Sequence, residues 1–132
     1  MAANPATRSW RGRPVLVTGA GGFIGSTLVE LLVRQGADVR AFVRYNSRGH
    51  HGHLDDVASD VIAEVDVYPG DLQNPEAVTK AVAGRDAVLH LGALIPIPYS
   101  YRHPREYVFA NVDGTINVLE ACRAADVTRL VQ

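Results

Sequence analysis

The chain has 132 residues, 47% of them hydrophobic and 20% charged, with a formal net charge of −1. That balance describes one globular domain, long enough to bury a core. The near-neutral charge gives no electrostatic ground for a nucleic-acid or anionic-membrane partner, and no apolar run approaches the length of a membrane span.

Residues 1–13 carry Arg8, Arg11 and Arg13 but no apolar signal core. They read as a flexible N-terminal tail in preference to an organellar transit peptide. The domain proper is expected over 14–132. PVLVT (14–18) reads as a buried strand, and Gly19 to Gly25 form a glycine-rich turn leading into a helix that ends near Gln35. Leu28, Leu31, Leu32 and Gln35 keep helical spacing, and Gly36 supplies the stop. DVRAFVR (38–44) is a second strand. The polar RYNSRGHHGHLDD follows, running into a short helix around 53–58.

VIAEVDVYPGD (61–71) is expected as a third strand with a turn at Pro69 and Gly70. Asn74 and Pro75 place a capping residue and a proline at the start of a helix reaching about Ala83. RDAVLHLGA (85–93) is a fourth strand whose near-continuous apolar run suits a parallel sheet covered on both faces. A Pro- and Tyr-rich loop is expected over 95–103, then one long helix from about Pro104 to Ala125, then the start of a fifth strand in VTRLVQ.

Strands separated by helices argue for right-handed βαβ units. The expected fold is α/β, a Rossmann-type doubly wound parallel sheet of order 3-2-1-4-5, cut within strand 5. Its ligand crevice should lie between strands 1 and 4. Cys122 is the only cysteine. It allows no internal disulfide, fits a reducing cytoplasm, and reads as a buried spectator in a helical segment in preference to a nucleophile.

Gly19, Gly22 and Gly25 stand at spacings of three between a buried strand and an amphipathic helix. A side chain there would obstruct a tight turn, backbone approach to a pyrophosphate, or close packing of helix on sheet. The phosphates would sit at the positive end of the helix, near Phe23 and Ile24. A dinucleotide site is the expected chemistry.

T-G-x-x-G-x-x-G (Thr18–Gly25), GDL (70–72), LHLGA (89–93) and NVDGTINVLEAC (111–122) occur in this order. Together they resemble the extended short-chain dehydrogenase/reductase superfamily, within its NAD-dependent epimerase/dehydratase family. VRAFVRYNSR and IPIPYSYRHPREYVFANVDGT look most like nucleotide-sugar 4,6-dehydratases. The resemblance runs from about Arg13 to Gln132. It implies that Asp71, followed by Leu72, meets the adenine amino group, that Leu91, Gly92 and Ala93 lie beneath the nicotinamide ribose, and that Asn111 holds backbone. It also implies a nucleotide-sugar substrate for the full-length enzyme, oxidised at C4 by hydride transfer and then dehydrated or epimerised, and a homo-oligomer.

Arg44 ends the second strand, where an NAD-selective fold carries an Asp for the ribose hydroxyls. A guanidinium there pairs with a 2′-phosphate, so Arg44, followed by Asn46, Ser47 and Arg48, favours NADP. The other reading, with Arg44 in solvent or stacked on adenine, leaves NAD acceptable.

His90, within an apolar strand, reads as a satisfied core histidine before a base. His50, His51 and His53 read as a solvated loop before a zinc site, because no cysteine or ordered spacing fixes a geometry. Tyr99, Tyr101 and Tyr107 either face the sugar side of the crevice, as the resemblance implies, or pack on the sheet end.

Family chemistry needs a Tyr with a Lys four residues on, to exchange a proton with the sugar hydroxyl. Four residues after Tyr45, Tyr68, Tyr99, Tyr101 and Tyr107 stand Gly49, Leu72, His103, Arg105 and Asn111. No catalytic residue is therefore assigned, and no turnover is expected of this chain alone. It reads as the cofactor-binding part of a longer dehydratase or epimerase. The alternative is a stand-alone, non-catalytic dinucleotide-binding module.

Overall fold

The computed structural model describes residues 9–132. Among these, parallel strands β1 (Pro14–Thr18), β2 (Asp38–Arg44), β3 (Asp66–Gly70), β4 (Ala87–His90) and β5 (Arg129–Val131) lie in the order β3-β2-β1-β4-β5. Helices α1 (Phe23–Arg34), α3 (Pro75–Val82) and α6 (Gly114–Ala124) alternate with them and cover the two faces. This is the doubly wound parallel sheet expected from the sequence.

Side chains on a strand alternate between faces. Val15 and Val17 therefore enter one core with Val29, Leu32, Val39, Ala41 and Val43, while Leu16 enters the other with Phe42, Val78, Val82, Val88 and Val118. Cys122 is buried in this second core, which pushes its thiol pKa up. Trp10 packs against the first core, and Gly12 N–H donates to the Gly36 carbonyl (2.7 Å). The domain's contacts thus begin before β1. Residues 1–8, most of the expected tail, lie outside the described residues.

Two local expectations are corrected. Residues 61–71 are not all strand: Ser59–Ile62 forms a short helical turn, α2, and β3 begins only at Asp66. Val61 on this turn is buried, and Val57, Ile62 and Val65 around it pack against the first core, which also holds Leu54. Leu54 itself lies in a 3-10 turn, Gly52–Asp56, near the expected short helix. The Pro- and Tyr-rich loop contains a helix, α4 (Ile97–Arg102), because Pro98 is tolerated in a first turn. The long helix expected from Pro104 is present as one continuous run of α5 (Pro104–Val108), a π-helical stretch Phe109–Asp113 and α6. The wide turn brings Asn111 onto the chain after β4, a contact between segments far apart in sequence that helical periodicity does not contain.

Candidate functional site

The carboxyl ends of β1, β2, β3 and β4 open onto one cleft of about 150 Å³. Gly19, Arg44, Asp71, Leu72, Gly92 and Ala93, six residues singled out from four separate segments, line it together.

Gly19 follows β1 with φ +66, in the left-handed region that side chains disfavour. A Cβ there would lie 2.7 Å from the Gly92 nitrogen. One on Gly25 would lie 2.1 Å from the Gly19 oxygen, and one on Gly22 3.2 Å from it. The turn is therefore a backbone cradle that side chains would fill. Helix α1 starts from it with no side-chain cap and no acidic residue in its first turn. Helix α3, by contrast, has its Glu76 and Ala77 amides capped by Asn74 Oδ1 (3.0 and 3.2 Å). The uncapped amides at Phe23 and Ile24 suit an anion. Both side chains are largely exposed, 76% and 68%.

Beneath the turn, a polar chain ties β1 to β4 and to α6. Thr18 Oγ1 lies 2.6 Å from His90 Nδ1 and accepts the Gly92 N–H at 3.1 Å, while His90 Nε2 lies 3.1 Å from Thr115 Oγ1. Both His90 nitrogens are engaged, and burial lowers its pKa. His90 is thus a satisfied core histidine that orders the cleft floor. Asn111 grips the backbone of Leu94 in both directions, accepting its N–H (2.8 Å) and donating to its carbonyl (2.9 Å). This holds the Leu91–Leu94 segment.

Leu72 fits between Gly92 and Gly114: a Cβ on Gly92 would lie 2.6 Å from Leu72 Cδ1, and one on Gly114 3.0 Å from Leu72 Cβ. Asn117 Nδ2 donates to the Leu72 carbonyl (2.8 Å). Asp71 Oδ1 accepts the Gln73 N–H (2.9 Å). Phe42, Gly70, Gln73, Leu94, Glu106 and Ala110 also line the cleft and were not anticipated. Glu106 and Ala110 arrive from the α5 and π segments, whose course no local signal in the sequence gives.

Other candidates lie elsewhere. Asn46 turns into its own loop, accepting the Arg48 and His50 N–H groups on Oδ1 (3.1 Å each) and donating from Nδ2 to the His50 carbonyl (2.5 Å). Ser47 and Arg48 are exposed on that loop. His50 and His51 face the Asp55 carboxylate at 3.6 and 3.5 Å, and His53 faces Asp56 at 3.8 Å. The Tyr99 ring lies tilted by 42° against that of Tyr107 (6.2 Å between ring centres) and its hydroxyl donates to Glu106 (2.5 Å), whereas Tyr101 is 82% exposed. No helix among the described residues is long and apolar enough to cross a membrane.

The sheet order, the glycine cradle and the shared cleft at the strand carboxyl ends define a Rossmann-type domain. Comparison with known proteins agrees. The sequence profile described as GDP-mannose 4,6 dehydratase matches residues 16–132. A 2-alkyl-3-oxoalkanoate reductase of Stenotrophomonas maltophilia (strain K279a) is 44% identical over 117 residues, 89% of this chain and 32% of the relative. The dTDP-glucose 4,6-dehydratase of Mycobacterium tuberculosis (strain CDC 1551 / Oshkosh) is 34% identical, over 83% of this chain and 32% of the relative. Among solved structures, the UDP-glucose 4-epimerase of Thermus thermophilus, in complex with NAD, superposes with a TM-score of 0.72 at 31% identity, over 89% of this chain and 36% of that one. The chain belongs to the NAD-dependent epimerase/dehydratase family of the extended short-chain dehydrogenase/reductase superfamily. It spans about a third of the length of these relatives.

Proposed function

We propose that this chain is the NADP-preferring, dinucleotide-binding part of a nucleotide-sugar dehydratase or epimerase. One observation carries the reading: Arg44 and Asp71 stand in the same cleft as the glycine cradle. In this reading the α1 amides at Phe23, Ile24 and Gly25 bind the pyrophosphate, while the Gly22 N–H closes the turn on the Gly19 carbonyl (3.0 Å). Arg44, with Ser47 and Arg48 from the following loop, reads a 2′-phosphate. Asp71 and Leu72 meet the adenine, and Leu91, Gly92 and Ala93 support the nicotinamide ribose. Asn46 shapes the loop in place of touching the cofactor. When bound, the dinucleotide supplies a reversible hydride acceptor for oxidation at sugar C4. The chain's own residues bind and orient it, and the proton-transferring Tyr and Lys belong to the remainder of the longer protein.

The 44% identity to a 2-alkyl-3-oxoalkanoate reductase favours a second reading. There the same cofactor half serves reduction of a carbonyl on a non-sugar substrate. A turnover assay of the full-length protein with GDP- and UDP-sugars, against a 3-oxoalkanoate, separates the two.

The cofactor reading is tested by calorimetric titration of the chain with NADP and with NAD. Tighter NADP binding, reversed by Arg44→Asp, is expected. Binding of neither, or a preference indifferent to Arg44→Asp, overturns it. We assign the protein to the cytoplasm, which its single buried cysteine suits. We also assign it a homo-oligomer: Val108, Phe109, Val112, Ile116 and Leu119, each about half exposed, put apolar surface along α5, the π stretch and α6. A monomeric full-length protein in sedimentation overturns that assignment.

A further inference from the structure

Gly21 fills one of the unspecified positions of the turn, and the turn itself does not require a glycine there. Its φ lies outside the left-handed region, unlike that of Gly19. Its Cβ direction is blocked by something else: the His51 carbonyl oxygen, 2.5 Å from where a Cβ would sit. The obstruction is mutual. A Cβ on Gly52 would lie 2.4 Å from the Gly21 oxygen, and that oxygen accepts the His53 N–H at 2.9 Å. Two glycines, thirty-one positions apart (52 minus 21), thus let two backbones touch. No side chain can rotate aside to relieve such a contact.

The segment held there is prefolded. Asn46 closes it from within through its three hydrogen bonds to residues 48 and 50. Asp55 Oδ2 accepts the His51 N–H at 3.0 Å. Gly49 and Gly52 take φ +69 and +66 at its bends. The loop leaves β2 directly after Arg44, carries Ser47 and Arg48, and is pinned at its far end to the turn that would hold the pyrophosphate.

We propose that Gly21 and Gly52 are specificity-determining positioning residues: their backbone contact docks the 46–51 loop on the glycine-rich turn and so fixes Ser47 and Arg48 for reading a ribose 2′-phosphate. The inference rests on the cofactor reading above. It adds that discrimination depends on a contact made by neither Arg44 nor any group touching the ligand.

The test uses two probes that differ by the 2′-phosphate alone, 2′,5′-ADP and 5′-AMP, titrated calorimetrically against the chain and four variants. Gly21→Ala and Gly52→Ala push the loop off the turn. His53→Pro removes the pinning N–H without adding bulk to either glycine, and keeps the test decisive should an alanine variant fail to fold. Gly49→Ala is the control, because its Cβ meets nothing within 4 Å although its φ is equally positive. The wild-type chain and Gly49→Ala are expected to prefer 2′,5′-ADP by about tenfold or more, the value of one charge-assisted contact. In the other three variants the preference should fall below about threefold, and in Gly52→Ala and His53→Pro, which lie outside the phosphate turn, 5′-AMP binding stays within about threefold of wild type. Variants that keep the wild-type ratio, or weaken both probes equally, overturn the inference and leave the cofactor reading standing. A wild-type chain with no preference for 2′,5′-ADP, or binding neither probe, overturns the NADP reading and the inference together.

Discussion

Replacing Gly25 by alanine sets two local effects against each other, and the structure says which wins. Gly25 lies in the first turn of α1, where helix propensity alone makes alanine more stable by about 1 kcal/mol. Its Cβ, however, would lie 2.1 Å from the Gly19 oxygen and 2.9 Å from both Gly19 C and Ala20 Cα, all backbone atoms. An ordinary carbon–oxygen contact needs about 3.3 Å, so α1 must lift by about 1 Å. That helix carries Val29 and Leu32 into the core, both essentially buried, and a gap of about 1 Å forfeits up to about half of each dispersion contact. Overpacking of this kind costs about 3 kcal/mol, which leaves a net loss of about 2 kcal/mol after the propensity gain. For a domain of this size, that lowers Tm by about 6–10 °C. Thermal unfolding followed by circular dichroism reads it directly. A Tm equal to or above that of the wild type would refute the close-approach argument and leave propensity as the governing effect.

Three further outcomes are expected. Burial holds the His90 pKa below the ordinary histidine value of 6.5, so the unfolded chain takes up the extra proton first. Stability is therefore full above that value and falls as the pH drops below it; His90→Gln should flatten the urea-unfolding difference between about pH 7.5 and about pH 5.5, and parallel curves would contradict this. Asn74→Ala removes the cap of α3 and should cost about 1 kcal/mol in chemical denaturation, with an unchanged midpoint counting against the cap. The Cys122 thiol, buried and with its pKa raised, should react with a disulfide reagent about a hundredfold more slowly in the native chain than in denaturant; similar rates would show that the second core is open.

Much of the site is legible in the sequence because it depends on local chemistry. The glycine spacing at 19, 22 and 25 states where backbone must approach backbone, and it appears in the turn as a cradle that Cβ atoms would fill. Arg44 and Asp71 stand out because strand ends in this topology face one crevice. Asn46, a polar residue close after Arg44, reads from sequence as a ligand contact, and only the structure shows its three hydrogen bonds closing its own loop. Val61 misleads through the β-branched run around it, in which spacing by four and alternation by two compete.

By itself, the sequence determined the order of the five strands and the helices α1, α3 and α6 that cover them, and the glycine-lined turn, since hydrophobic period and turn chemistry act over a few neighbouring residues. Only the tertiary structure decided the π turn at 109–113, the entry of Glu106 into the cleft, the grip of Asn111 on Leu94 and the docking of Gly52 on Gly21. The last three are contacts between segments well separated along the chain, and the π turn serves one of them by presenting Asn111 to Leu94. Their partners are set by tertiary packing, and no local period encodes that choice.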